Sequence, residues 1–341
     1  LGTRLAPFLA GVAACAILED GHGGPTETKP RRETTRQRWA RLGFERWTGV
    51  DGLRIHFVEA GTGDPIFLLH GMGDCAIGWR GQIEPLAEAG LRAIAWDMIG
   101  AGLSDKPLDR DVSIPAMQAL FDAFRERLGV GRAILVGSSY GGAIALLQAR
   151  LRPETVRALV LIDPACYADP EVTDHARLFQ KKWFTDLVYP LIPAGWLARY
   201  GLKQCVGSID PALLEEYEAE ARRPGVKEFF LRLEQQVVPA DPRAFEEGHR
   251  EIRAPTLILW GRNDRLLPLR HGERLAREVP GAELVVLDAG HIAHLERPEE
   301  TNRVLRRFIG ARAGGRRGVR APRRGGPAAR HGLVPRGSAP A

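Results

Sequence analysis

Short apolar runs broken by Gly-, Asp- and Asn-bearing turns recur over residues 44–164 and again over 253–290. Ala133–Val136 and Thr256–Trp260 are continuous apolar runs, the pattern of buried strands, and Val156–Ile162 and Glu283–Leu287 read as two further strands. Phe44–Val50 and Leu53–Glu59, joined at Asp51-Gly52, read as a hairpin, and Ile66–His70 and Leu91–Asp97 as further strands. Helical patterns fall between them at Ile83–Ala89, Ser113–Leu128 (Ser113 a cap candidate) and Gly142–Arg150. This alternation predicts an α/β fold: a mostly parallel sheet of about eight strands with helices on both faces. From Ala165 to about Ile252 strand signals vanish, and helical segments carry Phe179, Trp183, Phe184, Tyr189, Trp196 and Tyr200. Most of these aromatics must build the insert's own core; a few are expected to face an apolar pocket.

The candidate chemistry sits at the ends of the predicted strands. Gly137-Ser138-Ser139-Tyr140-Gly141 lies between a strand and a helix. The glycines allow a turn sharp enough to lift Ser139 above the sheet edge, at a helix N-terminus that favours developing negative charge. Alone the pentapeptide is equally a Gly/Ser turn without chemistry. A serine nucleophile needs a base, and the base needs a carboxylate to hold its tautomer. Asp264 follows the strand Thr256–Trp260, and His291 follows Glu283–Leu287. All three stand just past the C-terminal ends of strands, where open α/β sheets place their sites.

The order Ser139, Asp264, His291 resembles the α/β-hydrolase superfamily, over roughly residues 42–310. Leu68-Leu69-His70-Gly71-Met72-Gly73 is similar to that family's HGxG segment; the resemblance implies an oxyanion hole made by the backbone N–H groups of Met72 and Tyr140. It also implies that His70 braces its loop. Asp97–Asp105 resembles the family's D-x-x-G-x-G-x-S turn and reads as architecture. Gly290–Glu300 is similar to the GHxxHxExP block, in which the first His is the base, so His294 is expected to be structural or at the pocket edge. Asp163 also follows a strand, where some members take their acid; Asp264 is preferred, and Asp288 is too near His291 in sequence. The stretch 165–252 resembles the family's helical cap, inserted in a core of 42–164 and 253–310. Members with Asp at the elbow form alkyl-ester intermediates; Ser139 implies an acyl-enzyme instead. The expected activity is hydrolysis of small to medium carboxylic esters. C–C bond hydrolysis of meta-cleavage products is the alternative, beside lactonase, perhydrolase or acyltransferase activity and plain ligand binding. No metal or cofactor is expected.

Composition changes this picture little. The formal charge of +6 is concentrated in residues 312–341, which hold eight Arg and no acid, leaving about −2 for the rest. That Gly/Pro/Ala-rich tail (311–341) lacks interleaved aromatics, so nucleic acid is not an expected partner and disorder is expected. Its Leu333–Ser338 is identical to a thrombin-cleavage linker and is set aside. At the front, Arg4 precedes the apolar stretch Leu5–Leu18, and Val12-Ala13-Ala14-Cys15 fits a lipoprotein signal within residues 1–24. That reading expects export with membrane anchoring through Cys15, the alternative being the cytoplasm, and treats 25–41 as linker. Cys75, Cys166 and Cys205 are widely spaced and suggest neither a disulfide framework nor a zinc site. The oligomeric state is left open.

Overall fold

The computed structural model describes residues 32–168, 176–238 and 241–313. The signal-like segment with Cys15, the first part of the linker (residues 25–31) and the tail from residue 314 lie outside them. Eight strands form one sheet: β1 Glu45–Val50, β2 Leu53–Ala60, β3 Asp64–Leu69, β4 Leu91–Trp96, β5 Ala133–Ser138, β6 Val156–Ile162, β7 Thr256–Gly261 and β8 Glu283–Leu287. Their spatial order is β1-β2-β4-β3-β5-β6-β7-β8. The β1–β2 and β2–β4 pairs are antiparallel and all other neighbours parallel. The hairpin turns at Asp51 and Gly52 with φ of +50° and +78°, the left-handed pair that matches strand twist. Strand order reverses between β3 and β5, the kind of switch point at which open α/β sheets place their sites.

The parallel strands inside the edge strand β8 are mostly buried on both faces, and their alternation divides the core. Ile66, Leu68, Ile134, Val136 and Leu257 face a cluster closed by Ile83, Leu86, Leu305 and Phe308. Phe67, Leu69, Leu135 and Ile258 face the other, with Phe121, Phe124, Ile144 and Leu275. Helices Ile83–Glu88 and Pro298–Ala313 thus cover one face, and Ile114–Arg127, Tyr140–Leu151 and Leu269–Glu278 the other. Ser113 occupies the N-cap of its helix but makes no capping bond; its hydroxyl donates to Asp111 instead. Between β6 and β7 run the helices Ala176–Phe179, Ala194–Cys205, Pro211–Ala221, Val226–Gln236 and Pro242–Glu247. No helix among the described residues is long and apolar enough to cross a membrane.

The chain departs from expectation just before β1. Part of the stretch read as linker is a helix, Thr35–Leu42, with a capping box at its start: Thr34 Oγ1 accepts from the Gln37 N–H, and the Gln37 side chain accepts from the Thr34 N–H. Gly43, at φ +68°, ends it. The helix is anchored by Trp39, 1% exposed in the core, and by Arg36, whose guanidinium reaches both Asp97 and Glu220. It therefore ties the sheet to the cap helix Pro211–Ala221. The last helix continues to Ala313, three residues into the stretch read as tail. Trp39→Ala should lower the unfolding free energy by about 3–5 kcal/mol in a urea titration, the usual cost of emptying a large aromatic site; a loss under about 1 kcal/mol would show that the helix is a loose appendage.

Candidate active site

Ser138 ends β5 and is buried, whereas Ser139 is half-exposed and stands at φ +51°, ψ −117°. A non-glycine residue in that region costs about 1–3 kcal/mol and persists only where the surroundings enforce it. The surroundings are specific. A Cβ on Gly137 would strike the Gly141 carbonyl, and one on Gly141 would strike the Leu69 and His70 carbonyls. Backbone groups of Ser139 are pinned on both sides: its N–H donates to Ile162 O (3.0 Å) and its carbonyl accepts from Ala165 N–H (2.9 Å). The helix Tyr140–Leu151 begins directly after it.

The loop after β3 lies against this turn. A Cβ on Gly71 would sit 3.2 Å from Ser139 Cβ. Met72 N–H and Tyr140 N–H make no hydrogen bond to another protein group among the described residues. His70 braces the loop. Met98 N–H donates to its Nε2 (3.0 Å), so the ring proton is on Nδ1, which donates to Gly71 O (2.8 Å). Beneath it Asp97, fully buried, accepts from Ala76 N–H (2.7 Å), Leu103 N–H (2.9 Å), His56 Nδ1 (2.7 Å) and Arg36 Nη2 (3.1 Å). Burial pushes the Asp97 carboxyl up, but Arg36 and His56 outweigh it and hold the group well below the usual carboxylate range.

Asp264 follows β7 and His291 follows β8. Asp264 Oδ2 lies 2.7 Å from His291 Nδ1, and its Oδ1 accepts from the N–H groups of Leu266 (2.7 Å) and Leu267 (2.9 Å). Asp163, after β6, does not bond to the imidazole, and Asp288 pairs with Asn263 on the surface. Asp163, Asp264 and His291 are the one group among the described residues whose donor atoms crowd together. With His291 Nδ1 and Asp264 already committed to each other, the group is a hydrogen-bonded relay rather than a ligand set. His294 is 0% exposed and stacks on Trp79 at 4.1 Å, and neither ring nitrogen meets a hydrogen-bond partner among the described residues.

Two contacts that hold His291 were not legible beforehand. Its N–H donates to Cys205 O (2.6 Å) at the end of the cap helix Ala194–Cys205. Glu296 accepts from Gly290 N–H (2.7 Å) and from Gly207 N–H (3.2 Å), joining the His291 loop to the cap. The cap also roofs a cavity walled by Met72, Met98, Met117, Tyr140, Phe229 and Phe230, with Asp74 and Glu220 as its acidic members. The six aromatics named from sequence do not line it. Phe179, Phe184 and Tyr189 form the cap's own core, and Trp196 stacks on Tyr200 at 5.2 Å.

Residues 66–304 match the model of the alpha/beta hydrolase family. The chain belongs to that family. Among curated relatives it is 33% identical to the 2-hydroxy-6-oxononadienedioate/2-hydroxy-6-oxononatrienedioate hydrolase of Burkholderia vietnamiensis, over 75% of this chain and 91% of that one. It is likewise 33% identical to the 2-hydroxy-6-oxo-6-phenylhexa-2,4-dienoate hydrolase of Comamonas testosteroni, again over 75% and 91%. Of solved structures, a meta-cleavage product hydrolase from Pseudomonas fluorescens IP01 superposes with a TM-score of 0.67 at 24% identity, over 79% of this chain and 99% of that one, a likeness of fold. These relatives overturn the expectation of carboxylic-ester cleavage. The compounds they are named for contain no ester; hydrolysis beside their 6-oxo carbon breaks a C–C bond. The misreading has a physical root: an alpha/beta hydrolase triad activates a serine without recording which bond the serine will break.

Three buried imidazoles give this hydrolase a pH liability. Burial holds His70 and His249 down to about 4 and His294 to about 3, against an ordinary 6.5. Below pH 6.5 the unfolded chain binds protons that the folded one refuses, so stability should fall as pH drops from about 6.5 towards 4. His294→Phe keeps the stack on Trp79 and removes one such site. Chemical denaturation at pH 5 should find roughly 2 kcal/mol of the loss recovered in this variant, following 1.36 kcal/mol per pH unit; equal losses in both proteins would place the liability elsewhere.

Proposed function

We propose that Ser139, Asp264 and His291 are nucleophile, orienting acid and base of a hydrolase that cleaves the C–C bond beside a ketone in a 2-hydroxy-6-oxo-2,4-dienoate. The observation that carries this reading is the kinship with hydrolases named for such compounds, at 33% identity over nine-tenths of their length. The chemistry needs no more than this site offers. A proton moves from the 2-hydroxyl to C5, giving a diketo acid. His291 takes the Ser139 proton as Oγ adds to C6, and the Met72 and Tyr140 amides receive the oxyanion. Collapse breaks C5–C6, and its electron pair is delocalised through the departing dienolate, which recovers the proton from His291. The acyl group left on Ser139 is then released as a carboxylic acid by water, with His291 again the base.

The cavity borders Met72 and Tyr140 rather than Ser139 or His291, so we assign it to the far end of the substrate, and its walls favour an uncharged one. Its apolar members, Met117, Phe229, Phe230 and Leu233, suit an aryl or alkyl ketone tail. A second carboxylate would meet Asp74, which burial holds up to about 7, and Glu220, which is engaged by Arg36 and Arg223. No Lys or Arg lines this cavity.

The test is the decay of dienolate absorbance with purified protein. 2-Hydroxy-6-oxo-6-phenylhexa-2,4-dienoate should be hydrolysed with a kcat/KM at least tenfold above that of the nonadienedioate. Ser139→Ala should lose about 10³-fold or more, while Ser138→Ala stays within tenfold. Turnover of the dioate in preference to the phenyl compound would reverse the pocket assignment, and no turnover of either would sink the C–C reading.

A further inference from the structure

One buried acid beside the triad has no part in the reaction above. Asp163 follows β6, is 0% exposed, and stands at φ +43°. Its N–H donates to Leu259 O (3.0 Å), and its Oδ1 accepts from Gly261 N–H (2.8 Å). Oδ2 is equally buried and meets no hydrogen-bond donor. Carboxylate oxygens of Asp163 and Asp264 and a ring nitrogen of His291 lie within 4.8 Å of one another. Of the other titratable groups near them, burial holds the Cys205 thiol from the cap up and uncharged, and burial together with His291 holds the His294 imidazole down and neutral. Two carboxylates this close in a dry site cannot both be ionised, so one keeps a proton. Asp264 has two backbone N–H groups and the imidazole to stabilise its charge, whereas Asp163 has one N–H. Burial, and then the neighbouring Asp264 charge, push the Asp163 carboxyl well up.

We propose that Asp163 is a protonated positioning residue, which donates its hydroxyl proton to a hydrogen bond with Asp264 and stands ready as a substitute acid for His291. The pair then presents a single negative charge to the imidazole. If Asp264 is removed, Asp163 releases its proton to solvent and its carboxylate orients His291 in Asp264's place. The proposal rests on the triad assigned above, but not on the identity of the substrate.

The experiment is therefore the rate at which a fluorophosphonate labels Ser139 in the full chain, across pH, for a double-mutant cycle. Asp163→Asn keeps a donor facing Asp264 and tolerates positive φ, so it should label within about threefold of the parent. Asp264→Ala should lose only about 10–10²-fold, against the roughly 10⁴-fold usual for a lost triad acid. Its acidic limb should move to higher pH, because Asp163 must first ionise. Adding Asp163→Asn to Asp264→Ala should cost at least a further tenfold. If Asp163→Asn does not fold, Asp163→Ser replaces it in the cycle. The proposal is overturned if the double variant labels as fast as Asp264→Ala, or if Asp163→Asn costs the same factor in both backgrounds, as a purely structural residue would. Labelling of Asp264→Ala at the parental rate would instead remove Asp264 from the triad.

Discussion

Ser139 holds φ +51° because the backbone around it has been cleared of side chains. Gly137 folds back on Gly141 within the elbow, and the elbow and the loop after β3 pass so close that a Cβ on Gly141 would strike the Leu69 and His70 carbonyls and one on Gly71 would press on Ser139. That proximity follows from β3 and β5 being neighbours on either side of the reversal in strand order. It brings an N–H from each loop to the same serine. A strained residue at a helix N-terminus, with its own N–H and carbonyl tied to the β6 side of the sheet, is a pre-paid geometry: the cost falls on folding rather than on each turnover.

The second support is ionic and lies beneath the oxyanion loop. Asp97 gathers two backbone N–H groups, His56 and Arg36 in a site without solvent. Such a cluster contributes little net stability, since desolvation offsets much of the attraction. What it fixes is direction. Ala76 is held from the sheet side and Arg36 from the N-terminal helix, while the other end of the Arg36 fork grips Glu220 on the cap. The loop, the helix before β1 and the cap therefore share one charged centre.

Much of this was readable from the chain because it depends on local chemistry. Val156–Ile162 and Glu283–Leu287 are strands to the residue, the first because a buried parallel strand is almost wholly apolar, the second, a half-buried edge strand, because its β-branched run is bounded by turn residues. Asp264 and His291 meet because each follows such a strand. The helix Thr35–Leu42 was missed although Thr34-Thr35-Arg36-Gln37 carries a capping signature; its flanks are so charged that Trp39 alone marks a buried face. The pocket aromatics were misassigned because helical spacing in the cap does not say which face meets the sheet. Phe229 and Phe230 are adjacent in sequence, yet Phe229 is fully buried where Gly100 gives it room, while Phe230 packs over Gly73.

Substrate choice belongs to the part of the chain where sequence patterns say least, and the structure shows why that part also bears on catalysis. The carbonyl of Cys205 holds the His291 backbone, and Glu296 bridges Gly290 to Gly207, so the helix Ala194–Cys205 contributes to the placement of the His291 imidazole. A side chain that reshaped the cavity from this helix would also move the imidazole relative to Ser139. Helix Val226–Gln236 has no such tie to His291: its Phe229, Phe230 and Leu233 line the cavity on the side of Met72 and Gly100. Substitutions on that helix can therefore reshape the cavity with the contacts of His291 left in place. The division separates the two questions that the triad motif alone had merged: how the serine is activated, and which bond is brought to it.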